Sequence, residues 1–346
     1  MVTTLLMAIV AALFLQALAQ FLCVRRDARK FPAPGVIVNT SRGSMHVCQM
    51  GSGNPPLVLE AGIAASSLNW SILQPQLAEF AATYSYDRPG FGWSAPSTRE
   101  CTLQEMSDDL HAVVTALKIT TPYVLVGHSF GALILSVYAQ RFPEELAGII
   151  LVDPLTPEEW IKPHRAQRWQ LWRGVWFSRA GAALGGIGVV RFCLWLLLQQ
   201  RGNSGVPKRV LGLFGGKASE TGLRIVGELA KLPPETVRMI RERWSHGRFF
   251  LTMSRYIQRL PKNAAEASRF QIPAHIPVTV ISGAHQPPVL LAEHQAIATH
   301  SLCGKHLIAE KGAHWVHLDQ PELIVEALCD IAEKLKAESI ENFNGK

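Results

Sequence analysis

The 346-residue chain carries no charged side chain before Arg25, no C-x-x-C pair among its six cysteines, no internal repeat and no low-complexity tract. It also has no aspartate between Asp153 and Asp319. Each absence narrows the reading. Scattered cysteines give no support to zinc or dithiol redox motifs, and they read as buried free thiols. A chain with 48% hydrophobic and 18% charged residues fits a globular protein with a large core and not a disordered one. The shortage of acidic residues is local. Between Leu155 and Phe270 stand 20 Lys and Arg against 7 Glu, a net of +13 in a chain whose total is +7. A field of that sign attracts anionic lipid, an acidic substrate or nucleic acid, unless the charges are ordinary solvated helix faces. No nucleic-acid module accompanies them, so nucleic acid is not expected as a partner.

The uncharged start is the run TLLMAIVAALFLQALAQFLCV, followed at once by Arg25, Arg26, Arg29 and Lys30. At about 1.5 Å per residue it is long enough to cross a hydrocarbon core of roughly 30 Å. Basic residues behind the run, and none before it, predict a retained anchor within residues 1–30 that leaves the rest of the chain in the cytoplasm. The alternative is export, with a signal peptide cleaved at the small residues Ala17-Leu18-Ala19.

Beyond Lys30 the sequence alternates between strand and helix signals. Strands are expected at Val36–Val38, Met45–Cys48, Pro56–Glu60, Thr83–Tyr86, Tyr123–Val126, Ala147–Val152, Pro277–Ile281 and His306–Ala309. Helices are expected at Ile72–Phe80, Leu103–Lys118, Phe130–Arg141 and from Gln320 to Lys336, the last with Asp319 as N-cap and Glu322 as its N3 acid. The alternation predicts an α/β fold with a mostly parallel central sheet and helices on both faces. Residues 155–270 interrupt it. They are helix-rich, basic and hold six of the nine tryptophans. They read as a helical cap inserted over the strand ends, which leaves 31–154 and 271–346 as one catalytic domain. Its tryptophans are candidates to line an apolar pocket. Val189–Leu198 is apolar enough for a lid or membrane-dipping helix, or for burial against the main domain.

Gly127-His128-Ser129-Phe130-Gly131 follows one predicted strand and opens a helix. A serine on such a sharp strand-to-helix turn is presented above the sheet edge, the glycines relieve crowding, and the helix N-terminus favours developing negative charge. The same pentapeptide in another setting would be a packing turn.

On this motif, together with Tyr86-Asp87-Arg88-Pro89-Gly90-Phe91-Gly92, Leu151-Val152-Asp153-Pro154 and Ala313-His314-Trp315-Val316-His317-Leu318-Asp319-Gln320-Pro321, the chain resembles the α/β-hydrolase family from about Gly35 to Lys336, apart from the cap. The resemblance implies Ser–His–acid catalysis, usually of ester or amide-like bonds, and no cofactor. Family members that act on halides or epoxides use an Asp nucleophile, which Ser129 argues against. His314 occupies the family's base position, with His317 as its rival three residues on. His128 reads as support. The family usually places its acid after the strand Pro277–Ile281, where this chain reads Ser282-Gly283-Ala284-His285-Gln286-Pro287-Pro288. Asp153, at the end of the preceding strand, is the expected orienting acid, because a triad is defined by geometry and role. Glu293, Glu310 or no acid are the alternatives. The backbone N–H groups of Phe130 and, by analogy, Ile63 are the expected oxyanion donors. Asp87 and Arg88 read as braces of the turn that contains them.

These readings converge on a serine hydrolase acting on an apolar acyl compound through an acyl-enzyme. The same triad would also serve a carbon–carbon bond hydrolase. A binding protein that keeps the fold without catalysis is the alternative from a different class.

Overall fold

The computed structural model describes residues 1–198 and 227–344. Eight strands run β1 (Val36–Thr40), β2 (Gly43–Met50), β3 (Leu57–Glu60), β4 (Thr83–Tyr86), β5 (Tyr123–His128), β6 (Leu146–Val152), β7 (Val278–Gly283) and β8 (Lys305–Ala309). They form one sheet in the order β1-β2-β4-β3-β5-β6-β7-β8. The β1/β2 and β2/β4 pairs are antiparallel and the remaining five pairs parallel. The expected fold class is therefore present. β3, β5, β6 and β7 are buried along their whole length, as strands covered on both faces must be.

The helices are α1 (Val2–Lys30), α2 (Leu73–Leu77), α3 (Leu103–Leu117), α4 (Gly131–Arg141), α5 (Glu158–Ile161), α6 (Arg165–Gly186), α7 (Val189–Leu198), α8 (Pro234–Trp244), α9 (Gly247–Ala267), α10 (Pro288–His300), α11 (Val316–Asp319) and α12 (Glu322–Asn344). One face of the sheet packs Met45, Val58, Leu125 and Val280 against Leu110, Val113 and Tyr138 of α3 and α4. The other packs Leu59, Val126, Ile150 and Ile281 against Trp70, Ile324 and Leu328. These are the layers that the alternating pattern implies.

Between β6 and β7 the described residues form α5 to α9, and no strand occurs among them. Phe249, Tyr256 and Leu260 of α9 join Phe130, Leu133 and Val137 at the start of α4 in one buried cluster. That contact brings the insertion onto the serine turn. Trp160 is buried in the same cluster, but Trp169, Trp172 and Trp176 on α6 and Trp195 on α7 face outward, exposed by 43% or more. Among the described residues those four line no enclosed pocket, against the expectation from the sequence. α7 is half-buried, with Phe192 and Trp195 outward.

α1 has two parts. Up to Ala19 it is almost wholly exposed, and it is the one described helix long and apolar enough by itself to cross a membrane. From Gln20 onward it docks on the insertion. Gln20 Nε2 donates to Ser245 O at 3.1 Å, Arg191 Nε donates to Gln20 Oε1 at 2.7 Å, and Arg191 also pairs with the buried Asp27.

Asp319 is not the N-cap of α12, which begins at Glu322. It closes the short helix α11 instead, and its Oδ2 accepts Ala313 N–H at 3.0 Å. The D-x-x-E spacing fits a capping box, but the intervening Pro321 and the tight turn at Trp315 redirect the side chain to the loop that carries His314. α10 is not foreshadowed in the sequence. It starts at a Pro-Pro pair and has only His294 and Ala298 fully buried, so it lacks a clear apolar stripe.

Candidate active site

Ser129 sits between β5 and α4 with φ +52°, a left-handed conformation that is costly for a residue with a Cβ. The backbone holds it there from both sides. Ser129 N–H donates to Val152 O at 3.0 Å, and Ser129 O accepts from Ala132 N–H at 3.0 Å and Leu155 N–H at 3.1 Å. Gly131 makes the turn possible: a Cβ there would lie 2.7 Å from Glu60 O and 3.1 Å from Ala61 O.

Asp153 ends β6, also with positive φ (+44°), and its carboxylate is buried. Oδ2 accepts His314 Nδ1–H at 2.6 Å and the Gln286 amide; Oδ1 accepts Gly283 N–H at 2.9 Å. Burial opposes its charge, but the His314 contact and the Gly283 N–H outweigh burial and hold the carboxyl below its usual range. Gly283 at the end of β7 and Gln286 in the loop after it, which lacks an acid, thus supply donors to the acid of the neighbouring strand. Ala284 N–H of the same loop also bonds Gly312 O at 3.1 Å, which ties it to the loop that carries His314.

His128 Nε2 lies 2.9 Å from His314 O and donates to it, since a carbonyl only accepts. Burial, then the nearby His314, pushes the His128 pKa down to about 3, so the ring is neutral at ordinary pH. His317 is buried against Trp70 at a ring separation of 4.9 Å, and neither of its nitrogens has a hydrogen-bond partner among the described residues. Of the two candidate bases, the structure brings only His314 to a carboxylate. Of the candidate acids it brings Asp153. Glu293 accepts the Thr156 hydroxyl, and Glu310 is exposed on the β8 turn.

Glu60↔Gly127 pairing places the loop after β3 beside the serine turn, where a Cβ on Gly62 would lie 3.5 Å from Ser129 Cβ. Among the described residues, the backbone N–H groups of Ile63 and Phe130 donate to no acceptor, and neither Ser129 Oγ nor His314 Nε2 makes a hydrogen bond. The arrangement has a hydroxyl, an imidazole with one nitrogen held by a carboxylate, and two uncommitted donors.

Asp87 braces its own turn as expected. It accepts His46 Nδ1–H and Ser67 N–H, each at 2.8 Å, and Trp93 N–H at 2.9 Å. Arg88 does not. It reaches away to Glu60 and to the carbonyls of Ala61 and Gly62. Nothing in the sequence singles out Gln286, Asp319 or the Glu60–Arg88 pair as parts of the site. Only Gln286 leaves a trace, by standing where an acid is usual.

The family model for the alpha/beta hydrolase fold matches residues 55–321, and the chain belongs to that family. The uncharacterized protein YqjL of Bacillus subtilis is 31% identical over 123 residues, covering 33% of this chain and 49% of that protein. The abhydrolase domain-containing protein abhd-5.2 of Caenorhabditis elegans is 33% identical over 117 residues, 33% of this chain and 26% of its own. The chain thus spans half or less of these curated relatives. Among solved structures, a putative epoxide hydrolase from Pseudomonas aeruginosa superposes with a TM-score of 0.62 at 17% identity, covering 89% of this chain and 98% of its own, and the enol-lactonase of Burkholderia xenovorans LB400 with 0.56 at 16%, covering 86% and 100%. A thermophilic esterase of Thermogutta terrifontis gives 0.52 at 20%, covering 86% and 98%. At these identities the superpositions establish the fold.

Proposed function

We propose that the chain is a serine hydrolase that cleaves ester or related acyl bonds, with Ser129 as nucleophile, His314 as general base and Asp153 as orienting acid. The observation that carries this reading is the His314 Nδ1–Asp153 Oδ2 contact of 2.6 Å beside the serine turn. It fixes the tautomer that leaves Nε2 bare to take a proton. A carboxylate from the neighbouring strand at this nitrogen supports a catalytic reading of a chain that has no acid in the loop after β7.

In the proposed cycle, substrate binding closes the Ser129 Oγ–His314 Nε2 contact, since such contacts are commonly loose in unliganded sites. Oγ attacks the acyl carbon while Nε2 takes its proton. The oxyanion accepts the N–H groups of Ile63 and Phe130. The intermediate collapses to an acyl-enzyme as the protonated imidazole gives its proton to the leaving oxygen. Water, deprotonated by the same nitrogen, then releases the acid and restores Ser129. Asp153 stays ionised throughout.

Ile63, Phe130, Trp160, Phe249 and Tyr256 share one apolar cluster around the turn, which favours an apolar acyl group. The insertion 155–270 acts in this reading as a cap, and 31–154 with 271–346 as the catalytic domain. α1 holds the protein at a membrane, with the domain on the cytoplasmic side because Arg25, Arg26, Arg29 and Lys30 follow the apolar run. A panel of p-nitrophenyl esters of increasing chain length, hydrolysed by the full-length protein, tests the substrate class. Rising kcat/KM from acetate toward medium chains is expected, and no turnover of any ester would count against it.

A further inference from the structure

Arg88 and Glu60 are both buried, at 2% and 1% exposure, beneath the loop after β3. Arg88 Nη1 donates to Glu60 Oε1 and, at 2.7 Å, to Ala61 O, while Nη2 donates to Gly62 O. Tyr86 OH completes the support by donating to the other oxygen of Glu60. The guanidinium carbon lies 5.7 Å from the centre of the Phe130 ring and 5.4 Å from that of Tyr256. One side chain therefore touches both residues whose N–H groups are uncommitted: Ile63 through the carbonyl of its peptide bond, and Phe130 through its ring.

The first contact has a directional consequence. In a planar trans peptide the C=O and N–H point to opposite sides. Gly62 O and Ile63 N–H belong to the same peptide. With Gly62 O held by Arg88, and also by Ala65 N–H at 3.3 Å, the Ile63 N–H must point away from Arg88. That loop adjoins the serine, where the position of a Gly62 Cβ is 3.5 Å from Ser129 Cβ. A planar fork is suited to holding two successive carbonyls and a carboxylate at once, whereas a lysine ammonium is a single point of charge.

We propose that Arg88 is a positioning residue for the oxyanion site: it sets the plane of the Gly62–Ile63 peptide so that the Ile63 N–H faces the reacting carbonyl. The proposal rests on the serine-hydrolase reading above. Arg88 touches no substrate. Its effect falls on the developing oxyanion, so it lowers the barrier without strengthening substrate binding.

Two variants of the full-length protein test this. Arg88→Lys keeps a positive charge opposite Glu60 but not the fork. The double variant Glu60→Gln/Arg88→Met removes both partners together and so leaves no unpaired buried charge. Loss of one oxyanion donor typically costs about 10²–10³ in kcat. The expected result is a kcat at least about tenfold lower for Arg88→Lys and up to about 10³-fold lower for the double variant, with KM within about twofold. The infrared band of the acyl carbonyl, recorded on an acyl-enzyme that deacylates slowly, should move to higher frequency in both, as a carbonyl that loses a hydrogen bond does. A merely structural brace would change thermal unfolding and leave that band in place. An unchanged band, or a wild-type kcat in folded Arg88→Lys, overturns the proposal while Ser129 still acylates normally. Failure of the wild type to acylate at Ser129 overturns the underlying reading and the proposal with it.

Discussion

His314, on the loop after β8, and Asp153, at the end of β6, meet at 2.6 Å across the end of the strand that separates them, β7. The loop after β7 does not intrude. It donates the Gln286 amide to the carboxylate, and Gly283 at the end of β7 donates its N–H, so that together they hold it for the histidine. Asp153→Asn should therefore lower kcat by about 10²–10⁴, as when a histidine loses its orienting acid. Glu293→Gln and Glu310→Gln should stay within a few-fold. Steady-state ester hydrolysis by the three variants checks the ranking, and a fully active, folded Asp153→Asn would place the acid elsewhere.

The neutral, buried His128 makes a prediction about stability in acid. Its pKa of about 3 in the folded protein lies below the roughly 6.5 of an unfolded histidine. The unfolded chain therefore binds the extra proton between these values. Stability should fall as pH drops below about 6.5, by up to about 1.4 kcal/mol per pH unit for this one site. His128→Gln keeps an N–H donor for His314 O but cannot titrate. Urea unfolding between pH 4 and 6 should show a shallower dependence in the variant, with activity at pH 7.5 within about tenfold of wild type. An identical slope would mean that His128 does not stay neutral in the fold.

Gly131 is a close steric demand at the site. A methyl group there meets the backbone oxygens of Glu60 and Ala61. Neither oxygen is on a flexible side chain, so relief requires moving the loop that carries Ile63. Gly131→Ala should cost about 1–3 kcal/mol in unfolding free energy and lower kcat more than KM. Paired denaturation and kinetics would show it; a neutral variant would mean that the loop yields freely.

Much of this architecture is legible in the sequence because it depends on local chemistry. Buried strands appear as apolar runs, and a serine between a strand and a helix at Gly127–Gly131 is readable from neighbours alone. Asp153 can be inferred because the chain has no aspartate between Asp153 and Asp319. The features that stay hidden involve segments far apart in the chain. Arg88 sits in a turn motif whose Asp87 does brace the turn, and nothing local shows that the guanidinium crosses to the loop after β3. Asp319 satisfies a capping spacing, yet tertiary contact with Ala313 and Lys231 takes its oxygens. Composition suggests that the tryptophans of α6 point inward, but composition carries no direction.

Gln20 and Asp27 dock onto the insertion and would stay there whether or not the residues before them are removed, so the N-terminal prediction turns on residues 1–19. We expect the mature protein to retain the residues before Gln20 and to sediment with membranes, resisting a high-salt wash. Sequencing the mature N-terminus in fractionated cells decides it. A soluble form that begins at Gln20 would mean cleavage after Ala19 and an exported enzyme.

Ser129 as nucleophile is tested by covalent labelling with a fluorophosphonate probe followed by mass spectrometry of the modified peptide. One adduct is expected, on Ser129, formed by the wild type and lost in Ser129→Ala, whose thermal unfolding stays close to wild type and whose ester hydrolysis is abolished. An adduct on a different serine, or full hydrolysis by Ser129→Ala, would contradict that role.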